Sequence, residues 1–223
     1  MIDIDNLSKS FGPRTLWSDV SLTIGRGEML ALVGPSGSGK STLLNCLGLL
    51  DKPSAGAIRH EGKDLITLNQ RGIRRFRRDV LGYLFQNYAL IENATVAANL
   101  DIAVRPRRSV PRGGRVTIAE ALDRVGLAGR EKEKIHHLSG GEQQRVALAR
   151  LMVKQPALVL ADEPTGALDQ VNATMVVDVL GEMSAAGCAV VIATHNDYVR
   201  DRCDTIFAVK EPSLAGNSSW RTA

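Results

Sequence analysis

Gly34-Pro35-Ser36-Gly37-Ser38-Gly39-Lys40-Ser41, the stretch GPSGSGKS, decides the fold of this 223-residue chain. It stands between an apolar run, Met29-Leu30-Ala31-Leu32-Val33, which reads as a buried parallel strand, and a segment from Ser41 to Leu50, which reads as a helix. Glycine lets backbone N–H groups curl around phosphate oxygens, the helix N-terminus adds partial positive charge, and Lys40 adds a full one. Ser41 then supplies a hydroxyl suited to Mg²⁺, with Thr42 beside it in the first turn. Clusters of glycine and serine usually mark plain turns. Here every position of the loop fits, in a strand-to-helix setting, and the pattern implies a site for a nucleoside triphosphate.

A phosphate loop alone does not separate transport ATPases from kinases, GTPases or helicases. The second informative stretch is Leu138 to Arg145, LSGGEQQR. Ser139 and Glu142 fit a capping box, the serine side chain on an N-terminal amide and the glutamate reaching back. That accounts for two residues and leaves Gly140 and Gly141, each of which weakens a first helical turn by roughly 1 kcal/mol relative to alanine. Glycine there implies that something approaches the backbone closely, and an anion is the natural candidate at a helix N-terminus. One chain already has a phosphate site in Gly34 to Ser41, so a second suggests that two copies share each nucleotide.

On these two motifs the chain resembles the ATP-binding cassette ATPases over about Asp3 to Val209, with the family's motifs in the family's order. The resemblance implies an α/β fold, a P-loop NTPase of ABC ATPase type with a mostly parallel core sheet, a small antiparallel β subdomain and an inserted α-helical subdomain. It implies ATP and Mg²⁺ as ligands, and a homodimer in which Ser139, Gly140, Gly141 and Glu142 of one protomer face the γ-phosphate held by the other. Ala157 to Glu163, ALVLADE, reads as a core strand ending in two carboxylates that point opposite ways, unless they only cap a helix before Pro164. By resemblance Asp162 orients Mg²⁺ and Glu163 is the general base for the attacking water. Cys188 to Thr194 reads as another buried strand delivering His195 at its carboxyl end. A lone histidine is more often structural; the resemblance makes His195 the residue that registers the γ-phosphate. Gln86, after the apolar run Val80 to Phe85, matches the glutamine that senses Mg²⁺ and water. Ala167-Leu168-Asp169 matches the loop that crosses the dimer, with Gly166 where many members have serine. Phe11 matches the aromatic ring that stacks on adenine, although as a bare feature it fits a core equally well.

Composition agrees with a module of this kind. A 44% hydrophobic content over 223 residues suffices for a substantial core. No run approaches the ~18 apolar residues of a membrane span, and MIDIDNLSKSF lacks the regions of a secretory signal. The expectation is a cytoplasmic protein, peripheral on the inner face of the cell membrane through an integral-membrane permease subunit. Cys46, Cys188 and Cys203 show no metal-ligand spacing and read as reduced core thiols. The formal charge is only +4, yet arginine concentrates in RGIRRFRR, Arg71 to Arg78, an amphipathic helical segment, and in RPRRSVPRGGR, Arg105 to Arg115, an exposed loop. Such runs are usually solvated faces; anionic lipid or an acidic permease surface is the sharper option. No aromatic residues interleave with the arginines in a stacking pattern, so no nucleic acid is expected.

Ile2 to Ile4, Val20 to Ile24 and Ala57 to His60 read as strands of the small sheet, with its turn at Glu61-Gly62-Lys63-Asp64. The expected organisation is a single ABC ATPase domain: 1–86 and 156–216 as ATP-binding core with the β subdomain, 87–155 as helical subdomain with helices at Ile118 to Val125 and Glu142 to Val153, and 217–223 as a mobile tail. KEPSLAG stands where the family often has an Asp-Gly hairpin. LADEPTGALD resembles the branch of lipoprotein-releasing, macrolide-exporting and cell-division ATPases, and Phe85 to Leu100 looks closest to bacteriocin exporters of the lactococcin 972 group. The implied function is the ATP-hydrolysing subunit of a bacterial exporter or mechanotransmission complex; the alternative is a non-transport ATPase regulating an envelope hydrolase through a membrane partner.

Overall fold

Alternate residues of a strand point to opposite faces, so a strand that is apolar throughout needs a core on each side. The computed structural model, which describes residues 1–104, 116–166, 168–210 and 221–222, supplies both. The arginine-rich loop Arg105 to Arg115, Ala167, residues 211–216 of KEPSLAG, and Trp220 lie outside the described residues.

In chain order the elements are β1 (Ile2–Phe11), β2 (Arg14–Ile24), β3 (Met29–Val33), α1 (Lys40–Leu47), β4 (Ala55–His60), β5 (Lys63–Asp64), α2 (Gln70–Asp79) and β6 (Leu81–Leu84). There follow α3 (Val96–Val104), α4 (Ile118–Arg124), α5 (Gly140–Lys154), β7 (Leu158–Asp162), α6 (Gln170–Ala185), β8 (Ala189–Ala193), α7 (Asp197–Arg200), β9 (Thr205–Ala208) and β10 (Arg221–Thr222). The larger sheet has the order β10-β9-β3-β8-β7-β6, parallel from β9 to β6. The smaller is antiparallel, β2-β1-β4-β5.

The parallel strands divide their side chains residue by residue. Met29, Ala31, Val159, Ala161, Val190 and Ile192 enter a core with Val146, Leu148 and Leu151 of α5 and Val176 and Leu180 of α6. Leu30, Leu32, Leu158, Leu160, Ala189 and Val191 enter a second core with Leu43, Leu44 and Leu47 of α1 and Ile4, Leu7 and Trp17 of the antiparallel sheet. The two-sided burial explains why these runs show no hydrophobic alternation.

Several boundaries differ from expectation. The first helix ends at Leu47 rather than Leu50, because Gly48 caps it and Leu49 takes a left-handed turn at φ 56°. β1 and β2 run well beyond the expected Ile2–Ile4 and Val20–Ile24; register shifts near Leu7 and Lys9, with left-handed Asn6 and Asp19, break the period-two pattern that would have revealed the full strands. The arginine-rich segment is helical as expected, with Asn69 capping α2. Arg221 and Thr222, expected in a mobile tail, pair antiparallel with Ile206 and Thr205, because the free edge of β9 offers unpaired backbone groups.

Leu160 is fully buried at the centre of β7. Leu160→Ala is expected to lower unfolding stability by about 2–5 kcal/mol in urea titrations.

Candidate active site

The carboxyl ends of β3, β6, β7 and β8 lie on one edge of the larger sheet, where ligands of open parallel sheets bind. A cleft of about 910 Å³ opens there, lined by Phe11 and Arg14 of the antiparallel sheet, by the loop and first turn from Gly34 to Thr42, and by Gln86, Glu163 and His195. These parts come from segments far apart in sequence and meet because each follows a strand of the same sheet or its neighbour.

The loop between β3 and α1 is shaped for close approach. At Gly39 φ is 91°, and a Cβ there would sit 2.6 Å from a Leu16 methyl and 2.8 Å from the indole nitrogen of Trp17, so no other residue fits without displacement. Lys40 folds back over the loop, its Nζ donating to the carbonyls of Gly34 at 2.8 Å and Pro35 at 3.1 Å. Ser38 is fully buried and its hydroxyl has no partner among the described residues. A cationic amine held over a glycine-rich loop that lines the cleft is the chemistry an anionic oxygen satisfies.

Ser41 Oγ donates to Asp162 Oδ1 at 3.0 Å, tying the start of α1 to the end of β7. Burial lifts the Asp162 carboxyl above the usual aspartate range; the Ser41 hydroxyl opposes this, the Glu163 charge adds to it and Lys40 offsets it. The two carboxylates do not both sit on the strand as expected. β7 ends at Asp162, and Glu163 adopts a left-handed conformation with φ 46°, its N–H donating to Ala193 O at 2.9 Å. The turn aims Glu163 toward β8, where its Oε1 meets His195 Nδ1 at 2.9 Å. Its other oxygen, Oε2, is buried without a partner. His195, 73% exposed at its side chain, thus contacts the neighbouring carboxylate on one side and the cleft on the other.

Ser139, Gly140, Gly141, Glu142 and Asp169 do not line this cleft. Ser139 and Glu142 form the expected capping box, with Ser139 N–H donating to Glu142 Oε2 at 2.8 Å and Glu142 N–H to Ser139 Oγ at 3.3 Å. Those bonds, with Arg130 at 3.1 Å, hold the Glu142 carboxyl below its usual range. Asp169 caps α6 through the Asn172 amide, which lowers its pKa; Asn172 in turn accepts from Arg145 of α5 at 2.7 Å. Gln86 is exposed on the cleft. Two residues later Tyr88 and Ala89 are consecutively left-handed, φ 61° and 46°. Their carbonyls accept from Arg150 of α5 at 2.9 and 2.6 Å.

Residues that sequence reasoning passed over include Gln144, which donates to Pro164 O just beyond Glu163, and Arg150. The available signal for Arg150 was one arginine between Ala149 and Leu151 on a helix whose neighbours are buried. Lys9 left no motif.

A family model described as "ABC transporter" matches residues 17–166. The chain is 39% identical over 223 residues to the lipoprotein-releasing system ATP-binding protein LolD 1 of Rhodopseudomonas palustris, covering 97% of this chain and 99% of that protein. It is 40% identical over 200 residues to the macrolide export ATP-binding/permease protein MacB of Nitrobacter winogradskyi and 35% identical over 224 residues to the pyoverdine export ATP-binding/permease protein PvdT of Pseudomonas entomophila. Those matches take in 89% and 98% of this chain but 31% and 34% of the relatives, so the chain spans about a third of their length. Among solved structures, the dimeric post-hydrolysis cassette MJ0796 bound to ADP and Pi superposes with a TM-score of 0.83 at 32% identity, covering 97% of this chain and 100% of that one.

A carboxyl whose folded pKa is raised stabilises the fold in acid, and that contribution is lost as pH rises through the folded value. For Asp162 it is complete only below the ordinary aspartate value of 3.8. Asp162→Asn, which keeps an acceptor for Ser41, should therefore be more resistant to urea than the parent chain at pH 7, with the difference shrinking as the pH is lowered toward 4.

Proposed function

We propose, because this chain belongs to the ABC transporter family, that it is the ATP-hydrolysing subunit of a bacterial exporter or mechanotransmission complex, closing head to tail with a second copy on ATP and driving a separate integral-membrane permease. The observation that carries the dimer is the pair Gly140 and Gly141. Neither has a positive φ, and a Cβ at either would find only ordinary contacts, 3.5 Å to Tyr88 Oη and 3.6 Å to a Leu168 methyl. The chain's own packing does not ask for glycine at the start of α5. A phosphate presented by a second copy does, since side chains there would hold it away from the helix amides. The MJ0796 relative is described as a dimer with ADP and Pi, which supports the same arrangement.

In the proposed reaction Lys40 exchanges its two loop carbonyls for phosphate oxygens, and the loop amides add donors. Glu163 accepts the proton of the attacking water, with His195 orienting its carboxylate through Oε1. Ser41 and Asp162 present oxygen donors of the hard kind that Mg²⁺ takes, and Gln86 reaches the same cleft. Bound there, Mg²⁺ would neutralise charge on the phosphates. Phe11 stacks on adenine. Asp169 meets the partner copy.

The permease would dock beside Gln86 to Leu90, which joins the cleft to α3 and is gripped by Arg150. No helix among the described residues is long and apolar enough to cross a membrane, and peripheral attachment through the permease follows from the proposed partner. Export is supported by the macrolide and pyoverdine relatives and by the lipoprotein-releasing one. A bacteriocin or peptide cargo rests on Phe85 to Leu100 alone.

Glu163→Gln keeps the shape of the base but cannot take a proton, so hydrolysis should fall about 10²- to 10⁴-fold while closure survives. Size-exclusion chromatography at low salt should then show an ATP-dependent dimer; a wild-type hydrolysis rate removes Glu163 from the base role. Ser139→Arg should leave ATP binding to the isolated chain nearly intact and abolish turnover, because the cation blocks the opposing site. Loss of ATP binding in that variant would place the start of α5 on its own chain's nucleotide.

A further inference from the structure

Lys9 lies 94% out of solvent, being 6% exposed, in a strand whose neighbouring inward positions are filled by apolar residues such as Leu7. Burying an ammonium is unfavourable unless it is fully paired. Lys9 Nζ is paired on two sides, 2.7 Å from Asp51 Oδ2 and donating to Lys52 O at 2.8 Å. On a third side it stands over the ring of Phe11, 4.7 Å from the centroid. An ammonium has three protons, and this arrangement gives each a destination.

The partners matter as much as the count. Asp51 and Lys52 belong to the turn that follows α1, and Asp51 is itself oriented by its N–H on Asn45 O at 3.2 Å and by the Lys52 N–H on its Oδ1 at 2.7 Å. The bond with Lys9 holds the Asp51 carboxyl below its usual range, as a committed anion would be. The same turn is sewn to β1 by Ser54 N–H on Ser8 O at 2.8 Å and Ser10 N–H on Ser54 Oγ at 3.0 Å. Phe11 is 55% exposed and lines the cleft. Lys9 therefore joins an exposed ring at one end of the cleft to the far end of the helix whose first turn forms the other.

We propose that Lys9 is a positioning residue for the base of the nucleotide, acting through Phe11 without touching the ligand. The inference rests on Phe11 being the adenine platform. A cation on one side of a phenyl ring draws its π density and fixes its plane. The remaining ring surface becomes less electron-rich and stacks better on an electron-rich purine. Phenylalanine has no hydroxyl with which to anchor itself, so the cation supplies the hold. Because the cation is fastened to the end of α1, base platform and phosphate loop move as one piece.

The test separates this role from that of a simple staple between β1 and α1. Binding of Mg-ATP and of inorganic triphosphate with Mg²⁺, which has phosphates but no base, is measured by calorimetry on the full chain and on Lys9→Met, with thermal melts to confirm folding. Lys9→Met should weaken ATP about fivefold, the scale of one cation–π contact, and leave triphosphate within about twofold. Lys9→Arg should retain ATP affinity. In a Phe11→Ala background, itself weaker for ATP, Lys9→Met should add nothing. Asp51→Asn loosens Lys9 without altering the buried position and should show the same selectivity for the base, which keeps the test valid if Lys9→Met does not fold. Parallel loss of ATP and triphosphate, unchanged ATP affinity, or an effect that persists without Phe11 overturns the inference. If Phe11→Ala alone leaves ATP affinity unchanged, the platform reading falls instead.

Discussion

Burial of the parallel sheet on both faces is the constraint from which the rest follows. Strands that send Leu158 and Leu160 one way and Val159 and Ala161 the other need two separate cores. The chain supplies one with α5 and α6 and the other with α1 and the antiparallel sheet. With both faces covered, the strand ends are what remains to carry polar groups, and parallel strands bring their carboxyl ends to a single edge. The phosphate loop, Glu163, His195 and Gln86 share a cleft for that reason, with Asp162 tied to it through Ser41.

At that edge small departures from regular structure assign different environments to adjacent residues. Asp162 remains in the strand, half-buried and bonded to Ser41, with its proton held more tightly than usual. Glu163 leaves it through a left-handed turn and gives one oxygen to His195, keeping the other buried and free. Such a turn costs on the order of 1–3 kcal/mol at a residue with a side chain. The N–H bond to Ala193 and the packing of β7 against β8 hold it in place. Two neighbouring carboxylates in different surroundings can serve as metal ligand and proton acceptor without exchanging roles.

Helix α5 connects this edge to the surfaces where partners are proposed. Ser139 caps its start, Gln144 reaches the carbonyl of Pro164, Arg145 reaches Asn172 at the head of α6, Arg150 grips the left-handed pair Tyr88 and Ala89, and Lys154 donates to Arg77 O at the end of α2. Burial lowers the Arg150 pKa, yet guanidinium stays charged, so its two carbonyl bonds are strong ones. A shift of α5 on contact with a second copy would thus be felt at Tyr88 and Ala89 through direct bonds.

The local chemistry was legible in the sequence wherever a motif must be contiguous. Gly34 to Ser41 between strand and helix, the capping box at Ser139 and Glu142, and the apolar runs before Asp162 and His195 need no tertiary information, since backbone geometry and two-sided burial leave their mark on neighbouring residues. Full strand lengths in the antiparallel sheet were not legible, because bulges at Asn6 and Asp19 interrupt the period. Only the tertiary structure paired Glu163 with His195, placed Arg150 on Tyr88 and Ala89, and set Lys9 between Asp51 and Phe11. These contacts join residues up to 62 positions apart. A side chain recognised by what lies against it carries no local pattern, and Lys9, one lysine in a strand, became informative only when the turn after α1 was brought beneath it.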